Sequence, residues 1–364
     1  MSTATTPPAA PKRAAMSEGD NLSGRKLPNL IVWAIPVAAL AITALLFAIT
    51  PLQGDAGFIV VALLLYVTLQ TALSFTMEGP RQARDRLAST LIYVCFALAM
   101  LPLVLIIWYT ITRGLRGFSS GFLTHSMFGV SSAAAGGGAT HAILGTLIVS
   151  LIAAVIAVPL GIFTAIYLVE YGGKSAFGRT VSFFVDVMTG VPSIVSGLFI
   201  YAFWLLTLGQ QKTALAGALS LVLLMLPIVV RSTEEMLKLV HNDLREASYA
   251  LGVPKWRTIT KIVLPTAMSG IITGVMLGIA RIMGETAPLL LLVGTNIRIN
   301  SDPFHGQMET LPTFVNKYFG LAAGDASSPN ADRAWAAALT LIVLIMLLNF
   351  GARIIARYTG VKQK

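Results

Sequence analysis

Ala142-Ile-Leu-Gly-Thr-Leu-Ile-Val-Ser-Leu-Ile-Ala-Ala-Val-Ile-Ala-Val-Pro-Leu-Gly-Ile-Phe-Thr-Ala-Ile-Tyr-Leu-Val169 contains no charged side chain. A helix needs about 20 apolar residues to cross a roughly 30 Å hydrocarbon core. This run is long enough to do so. Seven others resemble it, at 30–50, 58–77, 87–111, 181–208, 214–230, 267–293 and 334–355. Long strands of alternating polarity are absent, which excludes a transmembrane β-barrel. The fold class expected is therefore all-α, a polytopic bundle of about eight spans. Composition agrees. Hydrophobic residues make up 55% of the chain and charged residues 12%, against about 25% charged in a soluble domain. Mean hydropathy is +0.78.

The net charge of +10 does not point to nucleic acid. The basic residues lie in short loops between apolar runs, and no aromatic-rich basic patch offers a platform for bases. They report topology instead. With the N-terminus cytoplasmic, 19 Lys and Arg fall inside and six outside, while Arg281 lies within a span. The expectation is a multi-pass protein of the bacterial plasma (inner) membrane, in contact with lipid, with both termini cytoplasmic. Residues 1–29 are too polar to fold alone and read as a disordered cytoplasmic tail. The first apolar run lacks a small-residue cleavage site before further spans follow, so it is not read as a removable signal. Residues 30–77 read as an accessory transmembrane hairpin, and 78–86 as a linker. A six-span core then runs over 87–358. Cys95, the sole cysteine, permits no intrachain disulfide and reads as a small buried hydrophobe. The four histidines lack metal-ligand spacing. No metal or other cofactor is expected.

The longest charged cytoplasmic loop, 231–266, carries the strongest motif: Asp243-Leu-Arg-Glu-Ala-Ser-Tyr-Ala-Leu-Gly252-Val-Pro-Lys-Trp-Arg-Thr-Ile-Thr-Lys-Ile-Val-Leu-Pro265. Asp243 can cap a short helix. Gly252 can end it in a left-handed conformation, with Pro254 preventing its resumption. A second short helix over 255–263 is expected to stop at Pro265. Leu244, Ala247 and Leu251 share a face, which suits docking into a partner's groove. Glu246, Ala247, Gly252, Ile262, Leu264 and Pro265 resemble the EAA loop of bacterial ABC importer permeases. Ser248 stands where that family usually has a second Ala. The resemblance implies a type I (MetI-like) permease core, with its transmembrane domain at about 138–354. It also implies that Glu246, Ala247, Gly252, Leu264 and Pro265 belong to the interface with a separate ATPase subunit. This chain offers no complete P-loop: Gly173-Lys174-Ser175 supplies the second half, but position 168 is Leu where the motif needs Gly. The reading is a non-catalytic translocation subunit.

Arg281 and Glu285 sit within the seventh run, and an intramembrane charge costs about 2.5–3.5 kcal/mol on insertion scales. On a continuous helix they share a face, extending a stripe of Gly270, Gly274 and Gly278 that lets helices approach closely. Two readings fit: an ion pair that fixes packing, or an oxyanion-selective constriction built on the guanidinium fork. Gly190-Val-Pro-Ser-Ile-Val-Ser-Gly-Leu198 is a second candidate, in which Ser193 and Ser196 would line a broken helix. A kink at Pro192 is the plainer account. Gly278-Ile-Ala-Arg281-Ile-Met-Gly-Glu285-Thr-Ala-Pro, Gly190–Leu198, Thr112-Arg-Gly-Leu, Pro159-Leu-Gly161-Ile, Pro227-Ile-Val-Val-Arg231 and Met236-Leu-Lys-Leu-Val resemble PstA-type permeases of the phosphate-specific importer. The resemblance covers about 87–355. It implies inorganic phosphate as substrate. It also implies three kinds of partner: a homologous PstC-type permease, two PstB-type ATPase subunits and an external PstS-type phosphate-binding protein. Such permeases usually have six spans, so the hairpin at 30–77 departs from the pattern. Another oxyanion is a competing substrate. A secondary transporter or channel using Arg281 and Glu285 as a charge relay is the rival of a different class; it would need no ATP and would leave the loop motif without a purpose.

Overall fold

The computed structural model describes residues 28–50, 54–131, 134–172 and 175–359. The tail expected over 1–29 lies almost wholly outside them, as do Gly173 and Lys174 of the half P-loop. Among the described residues, fourteen α-helices and three π-helical turns make up all the regular structure. The chain divides into two compact units, residues 1–106 and 107–364.

In the first unit α1 (Asn29–Ile49) and α2 (Asp55–Met77) form the hairpin read from the sequence. Phe47 meets Phe58 edge-on at 5.3 Å beside the connection. Thr43 is fully buried and donates its hydroxyl to the Ala39 carbonyl at 2.7 Å, so this hydroxyl is not left bare in apolar surroundings. At the foot of α2, Glu78 accepts from the Ser74 hydroxyl and from Arg86 of α3 (Pro80–Gly117). The linker is thus clamped by an ion pair. Cys95 is exposed, not buried. The side chains around it on α3, including Ile92, Tyr93 and Phe96, also point outward. An apolar run buried by lipid need not be buried by protein.

The second unit takes the end of α3 and a short α4 (Ser120–Thr124). α5 (Thr140–Ile166) continues through a π-turn to Tyr171, and α6 (Ala176–Thr189) precedes α7 (Ser193–Ile200). α8 (Ala214–Lys238) leads to α9 (Asn242–Ala250) and α10 (Lys255–Thr258). The chain then forms α11 (Leu264–Met283), α12 (Ala287–Leu292), α13 (Leu311–Ala322) and α14 (Pro329–Thr359). Among the described residues, seven helical segments are long and apolar enough to span a membrane. An eighth span is available only as α6 plus α7, which meet at 108°. The run at 181–208 is therefore not one straight helix: Gly190, Val191 and Pro192 break it. Likewise 267–293 is broken at Gly284–Thr286, between α11 and α12.

α8 forms the centre of this unit, with Leu221, Met225 and Val229 at 0–1% exposure. Two stripes of small residues let its neighbours close on it, because small residues allow helix backbones to approach in a membrane. On α5 the stripe is Ala153, Ala157, Gly161 and Ala165, all buried. A Cβ on Gly161 would lie 2.7 Å from Val229 Cγ1. On α11 it is Gly270, Gly274 and Gly278, which face Met236, Ser232 and Met225 of α8. The glycine stripe read from the sequence is thus a packing seam onto α8. A Cβ on Gly274 would come within 2.4 Å of Ser232 Oγ. Gly274→Ala should destabilise the subunit by about 1–3 kcal/mol, the usual cost of overpacking. The midpoint of thermal unfolding in detergent reads this, and Ser232→Gly should recover most of the loss.

Candidate coupling surface and translocation path

α9 begins at Asn242. His241 precedes it, and no side chain caps its start. Asp243 lies inside the first turn, not at the cap as expected, where its charge favours the positive end of the helix. The other end follows the expectation. Gly252 has φ +74°. Its N–H donates to Tyr249 O at 2.9 Å, and the Val253 N–H donates to Ser248 O at 3.2 Å, the paired bonds of a Schellman stop. Ser248 is buried and shares a 2.8 Å hydrogen bond with Thr258 Oγ1. The hydroxyl that departs from the usual Ala therefore links α9 to α10.

The outward side of α9 is open and carries large apolar side chains beside charged ones. Leu251 is 83% exposed, and Leu244, Tyr249, Glu246 and Ala247 are exposed with it. Trp256 of α10 is 57% exposed. Leu264 and Pro265 are half-buried. The second helix does not stop at Pro265. It passes through a π-turn, Ile259–Val263, directly into α11. A proline ring clashes with the carbonyl four residues earlier and removes a donor; the wider π-turn just before it gives the chain room to continue.

Arg245 ties this surface to the bundle. It donates to Glu170 Oε1 at 2.9 and 3.1 Å, to the carbonyls of Leu237 and Val240, and to Asn242 Oδ1. The Glu170 side chain is 5% exposed and that of Arg245 12%. Lys255 donates to the Glu170 carbonyl and stands 4.8 Å from the Tyr171 ring centroid. The end of α5 is therefore gripped by both halves of the loop. Sequence reading passed over Glu170, one residue beyond the apolar run that ends at Val169. The available signal was an acid at the very end of an apolar run, where a buried charge needs a partner. Nearby, Arg231 of α8 reaches Ser182 and Asp186 of α6 and Glu234 on its own helix.

Arg281 and Glu285 are not the helical pair expected from their spacing. α11 ends at Met283, Arg281 is exposed in its last turn, and Glu285 is half-buried in the break that follows. Among the described residues no ion pair joins them. The helix end supplies the physical reason: the negative pole of α11 favours the cation without a carboxylate. At the other break, Ser193 opens α7 half-buried. Ser196 is 2% exposed and donates to Ser193 O at 2.9 Å, with Ser220 O at 3.4 Å. It borders an apolar cavity of about 270 Å³ lined also by Met188, Val195 and Leu223. The breaks lie close together, since a Cβ on Gly197 of α7 would be 2.8 Å from Pro288 of α12.

The opposite end of the unit holds a buried polar cluster that sequence reading missed. His141 Nε2 bonds Glu309 Oε2 at 3.0 Å, and Lys317 Nζ reaches Glu309 Oε1 at 3.1 Å. Burial, and after it the Glu309 carboxylate, push the Tyr318 phenol up to about 12, so that side chain stays neutral. Arg333, 4% exposed, donates to the carbonyls of Ala134 and Gly136 and holds the Gly-rich loop before α5. His141 lies 168 residues from Glu309, and Arg333 lies 197 and 199 residues from the carbonyls it holds, beyond the reach of spacing arguments.

A family model for the inner membrane component of binding-protein-dependent transport systems matches residues 157–360. The chain is 49% identical over 285 residues to "Phosphate transport system permease protein PstA 1" of Mycobacterium tuberculosis (strain CDC 1551 / Oshkosh), covering 78% of this chain and 92% of the relative. The chain belongs to the PstA-type group of this permease family. It is also 40% identical over 278 residues to a PstA permease of Yersinia pestis, covering 76% and 90% of the two chains. Among solved structures, this PstA-type chain shares its fold with a bacterial ABC transporter involved in the import of the acidic polysaccharide alginate. The TM-score is 0.55 at 14% identity, over 78% of this chain and all of the other.

Proposed function

We propose that this PstA-type subunit forms part of the path of an ATP-driven importer of inorganic phosphate. The observation that carries the reading is the match, over about three quarters of this chain and 90% or more of theirs, to relatives named as phosphate transport permeases. The open surface of α9, presented on a Schellman-stopped helix and unoccupied within this chain, supports a docked ATPase. The partners are a homologous permease, two ATPase subunits and an external phosphate-binding protein. ATP-driven closure of the ATPases would move α9 and rock the helices behind it. Such motion favours one state over another only through differential binding. Arg281 and Glu285, at a break between helices, are the groups assigned to the path. Arg281 is exposed in the lone subunit, and its guanidinium fork suits a tetrahedral oxyanion. Ser193 is assigned beside them. Ser196, whose hydroxyl is already bonded to backbone, would serve by shaping the corner. The fifth of the chain left unmatched by the relatives is about the size of the segment up to Met77, which supports an accessory role for the hairpin.

The proposed topology places both termini in the cytoplasm. Reporter fusions at Gly54, Gly137 and Ser328 should read external, and a fusion at Gly252 cytoplasmic. An external signal at Gly252 would remove the α9 surface from any ATPase.

A further inference from the structure

We propose that α5 is the strut that carries displacement of the α9 surface through the membrane to the outer face. Its positioning pairs are Arg245–Glu170 at one end and His141–Glu309 at the other. The inference rests on the importer reading above. Helix and π-turn together run from Thr140 to Tyr171, 32 residues, or about 48 Å at 1.5 Å per residue.

Each end is fixed by more than one tie. At the inner end Arg245 bonds Glu170 through two nitrogens while holding the carbonyls at the end of α8, and Lys255 holds the Glu170 carbonyl. Movement of α9 therefore acts directly on α5. At the outer end His141 is 1% exposed. Its Nδ1 has no partner, so its polar tie is the bond to Glu309. One turn on, Gly145 presses against the Glu309 backbone so closely that a Cβ would lie 2.0 Å from the carbonyl oxygen. The Leu311 N–H donates to Thr146 Oγ1 at 2.8 Å. The first turns of α5 and the lead into α13 are thereby one body. Between the ends, the small-residue stripe seats α5 along α8. Removing Glu170 takes the carboxylate from Arg245, and removing His141 takes from the buried Glu309 one of its two side-chain partners, so loosening either end should let the strut slip.

The test uses the whole complex in liposomes, with both ATPase subunits, the homologous permease and phosphate-loaded binding protein. The readout is ATP hydrolysed per phosphate taken up, with assembly checked by size exclusion. Glu170→Gln and His141→Leu should each raise that ratio about tenfold, within the usual range of coupling energies. Arg245→Lys, which keeps the charge facing Glu170, should raise it less. Distant sites normally add, so independent ends would multiply to about a hundredfold in the double variant. A shared strut predicts a double variant no worse than the worse single one. Multiplying effects overturn the strut while leaving the importer reading intact. So does an unchanged ratio in variants that only lose thermal stability, or a full-sized defect in Arg245→Lys. Absence of ATP-driven uptake by the unaltered complex overturns the importer reading itself, and the strut with it.

Discussion

Arg281→Gln is expected to stop phosphate uptake while leaving the complex assembled. The side chain is exposed in the last turn of α11 and holds no ion pair with Glu285, so its loss leaves no carboxylate partner stranded. What disappears is a bidentate donor for an oxyanion. Hydrogen bonds to charged groups contribute about 1.5–3 kcal/mol each, and losing two should slow passage by about a hundredfold or more. Uptake of labelled phosphate with saturating binding protein measures this. Arg281→Lys should recover only part, because a point charge lacks the fork. The exchanged chain, Arg281→Glu with Glu285→Arg, should stay inactive, since the order of the two charges relative to the α11 end matters. Normal uptake by the exchanged chain would mean that the residues only balance charge. Glu285→Gln should relax discrimination against sulfate when the binding protein is bypassed. A carboxylate can accept a hydrogen bond from the proton that phosphate carries near neutral pH, and fully ionised sulfate has none to donate.

Gly252→Pro is expected to abolish coupling while the spans still insert. Gly252 sits at φ +74° with nothing within 4 Å of where a Cβ would stand, so the requirement is conformational and not steric. Proline fixes φ near −65° and removes the N–H that bonds Tyr249 O. The Schellman stop cannot form, and α9 loses its angle to α10. Gly252→Ala should cost only about 1–2 kcal/mol, the ordinary penalty of a left-handed residue, and should keep most of the uptake. Comparing ATP-dependent uptake with membrane insertion in both variants separates docking from folding. Full uptake by Gly252→Pro would detach α9 from the mechanism.

The parts legible in the sequence were those set by local chemistry. Long uncharged runs declare membrane helices, and Gly252 followed by Pro254 declares a helix stop. The spacing of Gly270, Gly274 and Gly278 declared close packing, although only the structure identifies α8 as the neighbour. The parts not legible depend on where helices break. A continuous helix through 267–293 places Arg281 and Glu285 on one face; the break at Gly284–Thr286 undoes that geometry without leaving a proline between them. Pro265 gave the opposite error, since a π-turn absorbs a residue that ordinarily ends a helix. Glu170, Arg245, His141 and Glu309 were invisible for another reason. A charge beside an apolar run reads as solvated until a partner 75 or 168 residues away is placed against it.

The most direct test of the importer account is uptake of labelled phosphate into liposomes containing this chain with its homologous permease and ATPase partners, with and without ATP. The account predicts concentrative uptake that requires both ATP and loaded binding protein and is not matched by sulfate. Phosphate movement that proceeds equally well without ATP, or follows an ion gradient instead, would contradict it.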